Sequence, residues 1–504
     1  MSKQIKLNNF YAMTGGWIVA SADKKDLITK SIKNLIPQYA LLQSETADSN
    51  IFEKVEPSFP LVITKTSSGL AFNATPTAIV PSRASNDGFI CVTTDGKIKD
   101  QTGSTIVDFG NLYLETFNET ADVQTYFDKI FTTASNQDYV YYSSFSGSGY
   151  GRISGFGAYG VEIPKTIVPF LNGVYITGGS NGDTLYKVDS SLTKSTVATL
   201  TNNTMRYGVN YNDRYLVYFT SLSQSAQPDG TDWFMVFHDG STNGLFQYRT
   251  KINGQFIGHT QVGDIHYVFH EDGSDLICSY INAYSLTEVA RIKGCKHSYS
   301  STTSTGLNYR NKVAYSQGYF ILPVKHLSDS CVLLWNPKSG ESSFIYKNNT
   351  DYPRLVVANT YQSKPVFNAF IGTNTIARSL ISTSTAQGDF EYKTNYLQFG
   401  ERVKISRIDI ILDPTFPSTD DKITFNCSYV DKLESPNYLT YQKADITTGY
   451  SDTDVQIDAT RVIINNIGIV GTEFAFTLSG VVATTSWDLV IREIIVSYED
   501  ISQL

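Results

Sequence analysis

The sequence is short of cysteine and of long apolar runs. Its five cysteines are widely separated and form no C-x-x-C pair, so they predict neither a disulfide framework nor a zinc knuckle. They are Cys91, Cys278, Cys295, Cys331 and Cys427. No apolar run reaches the roughly 18 residues of a membrane-spanning helix, and the opening segment MSKQIKLNNFYAM lacks the apolar core of a signal peptide. We therefore expect reduced thiols and assembly inside a cell.

The sequence also has few charged residues and no basic cluster. Charged side chains make up 17% of the chain, and the formal net charge is −8. A surface that wraps nucleic acid needs clustered Lys and Arg, so the sequence argues against that function. The motifs of nucleophile elbows, P-loops and dinucleotide-binding turns are missing as well. The usual signatures of hydrolases and nucleotide-binding enzymes therefore give no support for catalysis.

Aromatic and turn-forming residues are abundant instead. The chain has 33 Tyr, 28 Phe and 36 Gly residues, together with many Ser and Thr. Aromatic and β-branched residues favour strands, while Gly, Asn, Asp and Ser favour tight turns. At 504 residues the chain exceeds the roughly 250 to 300 residues at which a single core stops growing. The sequence therefore predicts an all-β protein with at least two domains.

A strand–turn–strand pattern recurs between residues 60 and 390. Successive units begin near residues 88, 138, 173, 213, 264, 318 and 364. Repeats of about 40 to 50 residues built from short strands are typical of a β-propeller. One blade cannot cover its own apolar faces, so it needs a neighbour on each side. We predict a propeller of six or seven blades over residues 60–390.

The segment before the propeller contains a predicted helix. In ADKKDLITKSIKNLIPQY, residues 22–39, apolar side chains repeat at helical spacing and Pro37 ends the pattern. We expect residues 1–59 to form an arm that carries this helix.

After residue 390 the pattern changes to longer alternating strands. Five or more such strands in about 110 residues predict an antiparallel β-sandwich over residues 391–504. In two of these strands the apolar residues change from odd-numbered to even-numbered positions. In SWDLVIREIIVSYED the apolar positions are odd up to Ile491 and even from Ile494, and they shift in the same way between Ile405 and Ile408. One extra residue in a strand has this effect, so we predict a β-bulge in each and expect the two strands to occupy matching positions.

Three histidines lie close together in the sequence, namely His259, His266 and His270. On one extended strand His266 and His270 point to the same face, but they stand about 13 Å apart, too far to share a metal ion. We interpret them as structural side chains beside Val268.

Loose groups of acidic residues are the remaining candidates for chemistry. They are Asp229 with Asp232, Asp272 with Asp275, Asp420 with Asp421, and Asp452, Asp454 and Asp458. Asp is common in hairpin turns, and DTDVQID lacks the Gly and the bidentate Glu of a calcium loop. The sequence therefore predicts no catalytic, cofactor-binding or metal-binding residue and no enzyme activity.

Three further segments are interpreted as loops. The glycine-rich run at residues 146–160 has strand patterns on both sides, so it predicts a hairpin with a wide loop rather than a phosphate site. The segments 221–230 and 298–306 predict loops at blade edges that are long enough to touch a neighbour.

The combination of an arm, a propeller and a sandwich resembles a known family. The segments that carry the resemblance are YLQFGERVKISRIDIIL at 396–412, FAFTLSG at 474–480 and WDLVIREIIVSY at 487–498. They are similar to the tail nozzle and packaged-DNA stabilisation proteins, or tail hub proteins, of short-tailed bacteriophages.

This resemblance implies a structural protein of the virion. It implies a homo-oligomeric ring of six copies that extends the DNA-ejection channel, retains packaged DNA and contacts adaptor and portal-side tail proteins and tail fibres. DNA passes through such a ring without sequence-specific binding. The resemblance further implies assembly in the bacterial cytoplasm, without a cofactor.

Two other functions stay open at this point. Similar strand endings occur in carbohydrate-binding sandwiches, so the chain could be a glycan- or receptor-binding adhesin or tail-fibre component. A polysaccharide-degrading propeller enzyme requires two carboxylates about 5 to 10 Å apart in a cleft, for which Asp229 and Asp232 are the candidates.

Overall fold

The computed structural model describes most of the propeller and the sandwich. The residues described are 3–7, 29–33, 35–37, 61–63, 65–71, 74–81, 89–100, 102–117, 122–134, 136–157, 165–222, 233–297, 310–316, 318–326, 329–336, 341–348, 353–361, 364–371, 375–380, 388–394, 396–413, 416–434, 437–483 and 489–501. Within them, no helix is long and apolar enough to cross a membrane. All five cysteines are buried, and none of them forms a disulfide bond.

The chain divides into two compact units. One comprises residues 1–67, 333–347 and 379–504, and the other comprises residues 68–332 and 348–378. The strands that precede the first blade are β1 (Lys3–Leu7), β2 (Thr29–Lys33), β3 (Leu35–Pro37), β4 (Leu61–Ile63) and β5 (Lys65–Ala71).

The predicted helix at residues 22–39 is wrong where the structure describes it. Residues 29–33 and 35–37 are the strands β2 and β3, and the other residues of the segment lie outside the described ranges. The local apolar spacing suits a helix, but the backbone of β3 pairs with β4. A ladder formed with distant strands therefore overrides the local helical pattern.

Five consecutive four-stranded antiparallel sheets form most of the propeller. Blade 1 contains β6 (Pro76–Pro81), β7 (Phe89–Thr93), β8 (Lys97–Asp100) and β9 (Thr105–Asp108), and is followed by the short helix α1 (Phe109–Tyr113). Blade 2 contains β10 (Asp122–Tyr126), β11 (Lys129–Thr133), β12 (Val140–Ser144) and β13 (Gly151–Ile153). Blade 3 contains β14 (Ile167–Phe170), β15 (Gly173–Gly178), β16 (Thr184–Val188) and β17 (Lys194–Thr199). Blade 4 contains β18 (Thr204–Tyr211), β19 (Tyr215–Ser221), β20 (Trp233–His238) and β21 (Gln247–Ile252). Blade 5 contains β22 (Gln255–Val262), β23 (Ile265–Asp272), β24 (Asp275–Asn282) and β25 (Ser285–Ile292).

The sixth four-stranded sheet closes the ring. The chain continues through β26 (Cys295–His297), a 3₁₀ turn (Arg310–Lys312), β27 (Ala314–Ser316), β28 (Tyr319–His326), β29 (Asp329–Asn336) and β30 (Glu341–Asn348). Blade 6 then combines β31 (Pro353–Tyr361), β32 (Lys364–Ile371) and β33 (Thr375–Leu380) with β5, which precedes blade 1 in the chain. β28 pairs with both β26 and β27, and β27 contacts β22 of blade 5 and β31 of blade 6, so β27 lies between those two blades. The predicted β-propeller is confirmed, and the described residues form six four-stranded blades together with these three strands.

Apolar side chains between neighbouring blades form the propeller core. The rings of Phe219 in blade 4 and Phe256 in blade 5 stack with centroids 4.1 Å apart. Ile79 and Cys91 of blade 1 share a buried cluster with Leu355 of blade 6. Each blade thus covers the apolar faces of its neighbours, as the repeat pattern predicts.

The C-terminal strands form the predicted sandwich. They are β34 (Gly388–Thr394), β35 (Leu397–Asp413), β36 (Lys422–Val430), β37 (Leu439–Ile446), β38 (Val455–Ile457), β39 (Arg461–Ile464), β40 (Ile469–Val482) and β41 (Val490–Asp500). One sheet has the order β2-β34-β40-β36-β37, and the other has the order β1-β41-β35-β39-β38. β35 also pairs with β40 and joins the two sheets, whose inner faces contribute to a single buried core.

Both predicted bulges are present, and they lie in neighbouring strands. In the β35–β41 ladder Ile411 pairs with Glu493 and Leu412 pairs with Ile491, so Arg492 is the extra residue. Further along the same ladder Ser406 is the extra residue of β35. A bulge exchanges the two faces of a strand. Apolar residues at odd positions before the bulge and at even positions after it therefore point into the same core.

Candidate functional site

Two of the candidate histidines meet inside blade 5. His259 Nε2 lies 3.0 Å from His266 Nδ1, and His266 Nε2 lies 2.9 Å from the side-chain oxygen of Asn212. Burial lowers the pKa of His266 to about 4 and the pKa of His259 well below its ordinary value. Both rings are therefore neutral at pH 7, and they form a buried hydrogen-bonded network.

His270 belongs to a different network. Its ring nitrogens lie 2.8 Å from the carbonyl oxygen of Asn253 and 3.0 Å from the hydroxyl of Ser279. The sequence analysis considered His266 and His270 along one strand and missed the pair of His259 and His266, which lie on the two strands of a hairpin. The Gly263–Asp264 turn between these strands was the signal that could have identified the pair. Over the part of the chain that the structure describes, no group of three or more metal-ligating side chains could hold an ion.

The candidate acids that the structure describes are bound within turns. Asp272 and Asp275 face each other across a tight turn, and their oxygens lie 3.9 and 3.4 Å from Arg291 Nη1. Asp452 and Asp454 lie 2.5 and 3.9 Å from Lys443 Nζ. These carboxylates each have a cation beside them, which favours a role in holding the turn.

The remaining acids differ in their surroundings. Asp421 is buried and accepts a hydrogen bond of 2.8 Å from the backbone N–H of Ala483, while its neighbour Asp420 is exposed. Asp458 lies 3.7 Å from Arg461. Asp229 and Asp232 lie outside the described residues.

The glycine-rich run forms the predicted hairpin as far as it is described. β12 pairs with β13, and residues 145–150 form the loop between them. Residues 158–160 of the run, residues 223–230 of one predicted loop and the whole of 298–306 lie outside the described ranges.

A buried ion pair links three blades near the inner strands. Arg310 Nε lies 2.6 Å from Asp122 Oδ1, and its Nη2 lies 2.9 Å from Asp122 Oδ2 and 2.6 Å from the carbonyl oxygen of Ile167. The guanidinium also lies 5.1 Å from the ring centroid of Tyr207. Asp122, Ile167 and Tyr207 belong to blades 2, 3 and 4, so one side chain connects all three.

A groove of about 290 Å³ lies between blades 2 and 3. Phe131, Val174 and Leu192 contribute apolar surface to it, and Asp128 and Asp189 contribute carboxylates. Lys129 also lines the groove, and its Nζ lies 3.4 Å from Asp128 Oδ1, so the lining carries charges of both signs.

The strands that hold the family-like segments lie side by side in the sandwich. Residues 397–412 belong to β35, residues 474–480 to β40 and residues 490–498 to β41, and β35 pairs with both of the others. Ile405, Phe474 and Val496 of these strands are all buried in one core. Trp487 lies outside the described residues.

Comparisons with known proteins show similarity of fold and no family. No protein-family model matches the sequence, and no curated protein sequence matches it. The chain is similar to the β-propeller domain of Cps50 (Swd1) from Myceliophteria thermophila, with 10% identity and a TM-score of 0.43 over 63% of this chain and 99% of that one. It is also similar to YCF48 from Cyanidioschyzon merolae, with 9% identity and a TM-score of 0.40 over 62% of this chain and 98% of that one. At these identities and TM-scores the two likenesses carry no argument about function.

Proposed function

We propose that this chain is a structural protein of a bacteriophage tail, a nozzle or hub ring that extends the DNA-ejection channel and retains packaged DNA. One observation supports this proposal above the others. The three segments that carry the resemblance to tail nozzle and hub proteins lie in β35, β40 and β41. β35 pairs with both of the other strands, and all three contribute to one core. The resemblance therefore concerns one coherent structural element rather than scattered residues.

The propeller suits a rigid wall element. Its sixth blade includes a strand from before its first blade, and Arg310 joins three further blades through a buried ion pair. These contacts hold blades 2, 3 and 4 together and join blade 6 to the segment that precedes blade 1, which makes this part of the ring rigid. We propose that this rigidity supports the channel against the pressure of packaged DNA.

The charge of the chain suits passage of DNA without retention by the wall. Each copy carries a net charge of −8, so six copies carry about −48. An acidic wall repels phosphates, which favours sliding over adsorption. The proposed partners are therefore further copies of the chain, adaptor and portal-side tail proteins and tail fibres, with DNA in transient contact.

Cryo-electron microscopy of purified virions, combined with mass spectrometry of their proteins, tests this proposal. We expect six copies arranged around the tail axis in line with the portal channel. Absence of the chain from the particle would refute a virion role. Copies found only at the tips of peripheral fibres, together with binding to a glycan array, would instead favour the adhesin.

A further inference from the structure

The outermost strands of the propeller blades are irregular. In blades 1, 3, 4 and 5 the outermost ladder contains one extra residue, and in each case the extra residue belongs to the outermost strand. The extra residues are Ile106 in β9, Val197 in β17 and Val289 in β25, while in β21 Tyr248 and Arg249 together oppose Val236. Blade 2 has no bulge at this place, but its outermost strand, β13, is three residues long.

The bulges are confined to the strands at the two edges of a blade. The ladder between the second and third strands shows no register shift over the described residues of blades 1 to 5. The first ladder contains bulges in β6, β18 and β22, which are inner edge strands. A bulge increases the twist of any ladder, so a requirement for twist does not explain this distribution.

A bulge interrupts the row of N–H and C=O groups that an edge strand presents. The outermost strand of a blade pairs on one side, so its other side is a template for a strand of another chain. One extra residue bends the strand and breaks the regular spacing, so an incoming strand cannot match it. A strand of three residues offers too few groups for a stable ladder. Both devices therefore prevent pairing at an edge.

β25 is the edge at which this protection matters most. It has eight residues and is the longest of the outermost strands in blades 1 to 5, and Val289 is 41% exposed. A long, exposed and apolar edge strand promotes aggregation when it is regular. The bulge divides the β24–β25 ladder into four pairs on one side and three on the other. It lies beside Glu288, whose charge further disfavours an incoming strand.

Tyr248 shows that an edge bulge is kept at an energetic cost. Its backbone is left-handed, with φ 50°, a conformation that Gly usually supplies at a bulge. Its ring stacks on Tyr284 of blade 5 with centroids 3.5 Å apart, which holds the bulged segment in place. β21 thus keeps an interruption that a regular strand would avoid.

We propose that these irregular strands prevent the outer edges of blades 1 to 5 from pairing with strands of other chains, so that a neighbouring molecule contacts these edges through side chains alone. The inference goes beyond the proposed function and does not depend on it. In a ring of copies such protection has a particular value. Open edges would be at high effective concentration there, and their pairing would compete with the contacts that close the ring.

Deletion of Val289 tests the proposal. It removes the extra residue and keeps the partners of all other residues in the β24–β25 ladder, so β25 becomes a regular edge strand. Analytical ultracentrifugation of the purified full chain should show self-association at least about tenfold stronger than in the wild type, and amide hydrogens of residues 285–292 should exchange at least about tenfold more slowly in the associated form. V289T keeps the bulge and is the matched control, which should behave as the wild type. A folded deletion variant with the mass distribution of the wild type would overturn the proposal.

A peptide provides a second measurement that does not depend on the folding of the deletion variant. The synthetic peptide DLICSYIN has the sequence of β24, the natural neighbour of β25. Fluorescence anisotropy should show no binding of this peptide to the wild type and clear binding to the deletion variant, whose fold near-ultraviolet circular dichroism verifies. Binding to the wild type that protects the amides of residues 285–292 would overturn the proposal. It would leave the proposed ring standing, because the composition of the virion tests that ring separately.

Discussion

Arg310 and Asp122 are 188 residues apart in the chain, yet they form a bidentate ion pair with bonds of 2.6 and 2.9 Å. Asp122 also accepts a 2.8 Å hydrogen bond from the backbone N–H of Ile167. The pair thus satisfies charges and backbone groups at the place where the inner strands of blades 2 and 3 meet. Its removal should affect the propeller far more than the loss of a surface ion pair.

Replacement of Arg310 by Met should lower the free energy of unfolding by about 3 to 5 kcal/mol, because it leaves the Asp122 carboxylate buried without its partner. Equilibrium denaturation in urea measures this change. R461M is the control, since Arg461 and Asp458 are exposed and 3.7 Å apart, and it should change the stability by less than about 1 kcal/mol. Adding D122N to R310M should restore part of the lost stability. The explanation would be contradicted if the double variant lost as much stability as the two single variants together.

The buried histidines should make the protein less stable in mild acid. Burial holds the pKa of His266 at about 4, below the value of about 6.5 expected in the unfolded chain. Between these values the unfolded chain binds the extra proton, so stability is complete above pH 6.5 and falls as the pH drops toward 4. Unfolding free energies measured from pH 7.5 to 4.5 should show a slope that H266Q reduces by up to about 1.4 kcal/mol per pH unit. Equal slopes for H266Q and the wild type would contradict this assignment.

Gly208 should not tolerate a side chain. A Cβ atom there would lie 2.5 Å from a ring carbon of Tyr218 and 2.7 Å from a methyl group of Val168. We expect Gly208→Ala to destabilise the propeller by about 1 to 3 kcal/mol, because blades 3 and 4 must separate to make room. Thermal unfolding provides the measurement. Gly273→Asn is the control, since that glycine has φ 64° and open space around it, and a loss of similar size there would refute the steric explanation.

Leu7 should stabilise the last strand of the sandwich. It is fully buried, and it pairs with Ile494 in the β1–β41 ladder. Leu7→Ala should cost about 2 to 5 kcal/mol and accelerate amide hydrogen exchange at residues 494–498. Lys6→Ala, at an exposed position of the same strand, should leave exchange unchanged. Unaltered protection of these residues in Leu7→Ala would show that β1 contributes little to the sheet.

The sequence predicted the features that depend on neighbouring residues. The bulges could be located to residues 492–493 and to the segment between Ile405 and Ile408, because the side chains of a strand alternate with a period of two and a bulge changes that parity. The pairing of the strands then identifies Arg492 and Ser406 as the extra residues. The repeat spacing identified the propeller for a related reason, since each blade repeats the same local pattern of strands and turns. Its closure could not be predicted, because β5 is separated from the blade that it completes by five other blades.

The wrong helix prediction and the missed contacts both involve residues that lie far apart in the sequence. The segment that contains Ile32 has helical spacing, but its backbone pairs with β34, more than 300 residues away. The Arg310–Asp122 pair requires the order of the blades around the ring, which no local pattern contains.

The strand that completes blade 6 also has a consequence for synthesis. β5 ends at Ala71 and its partner β33 begins at Thr375, so roughly 300 residues must be translated before the two can pair. At about 5 to 20 residues per second the nascent chain exposes an unpaired strand edge for roughly 15 to 60 seconds. During that interval the edge is open to misplaced pairing with other nascent chains, so chaperones that shield strand edges should raise the yield of native protein.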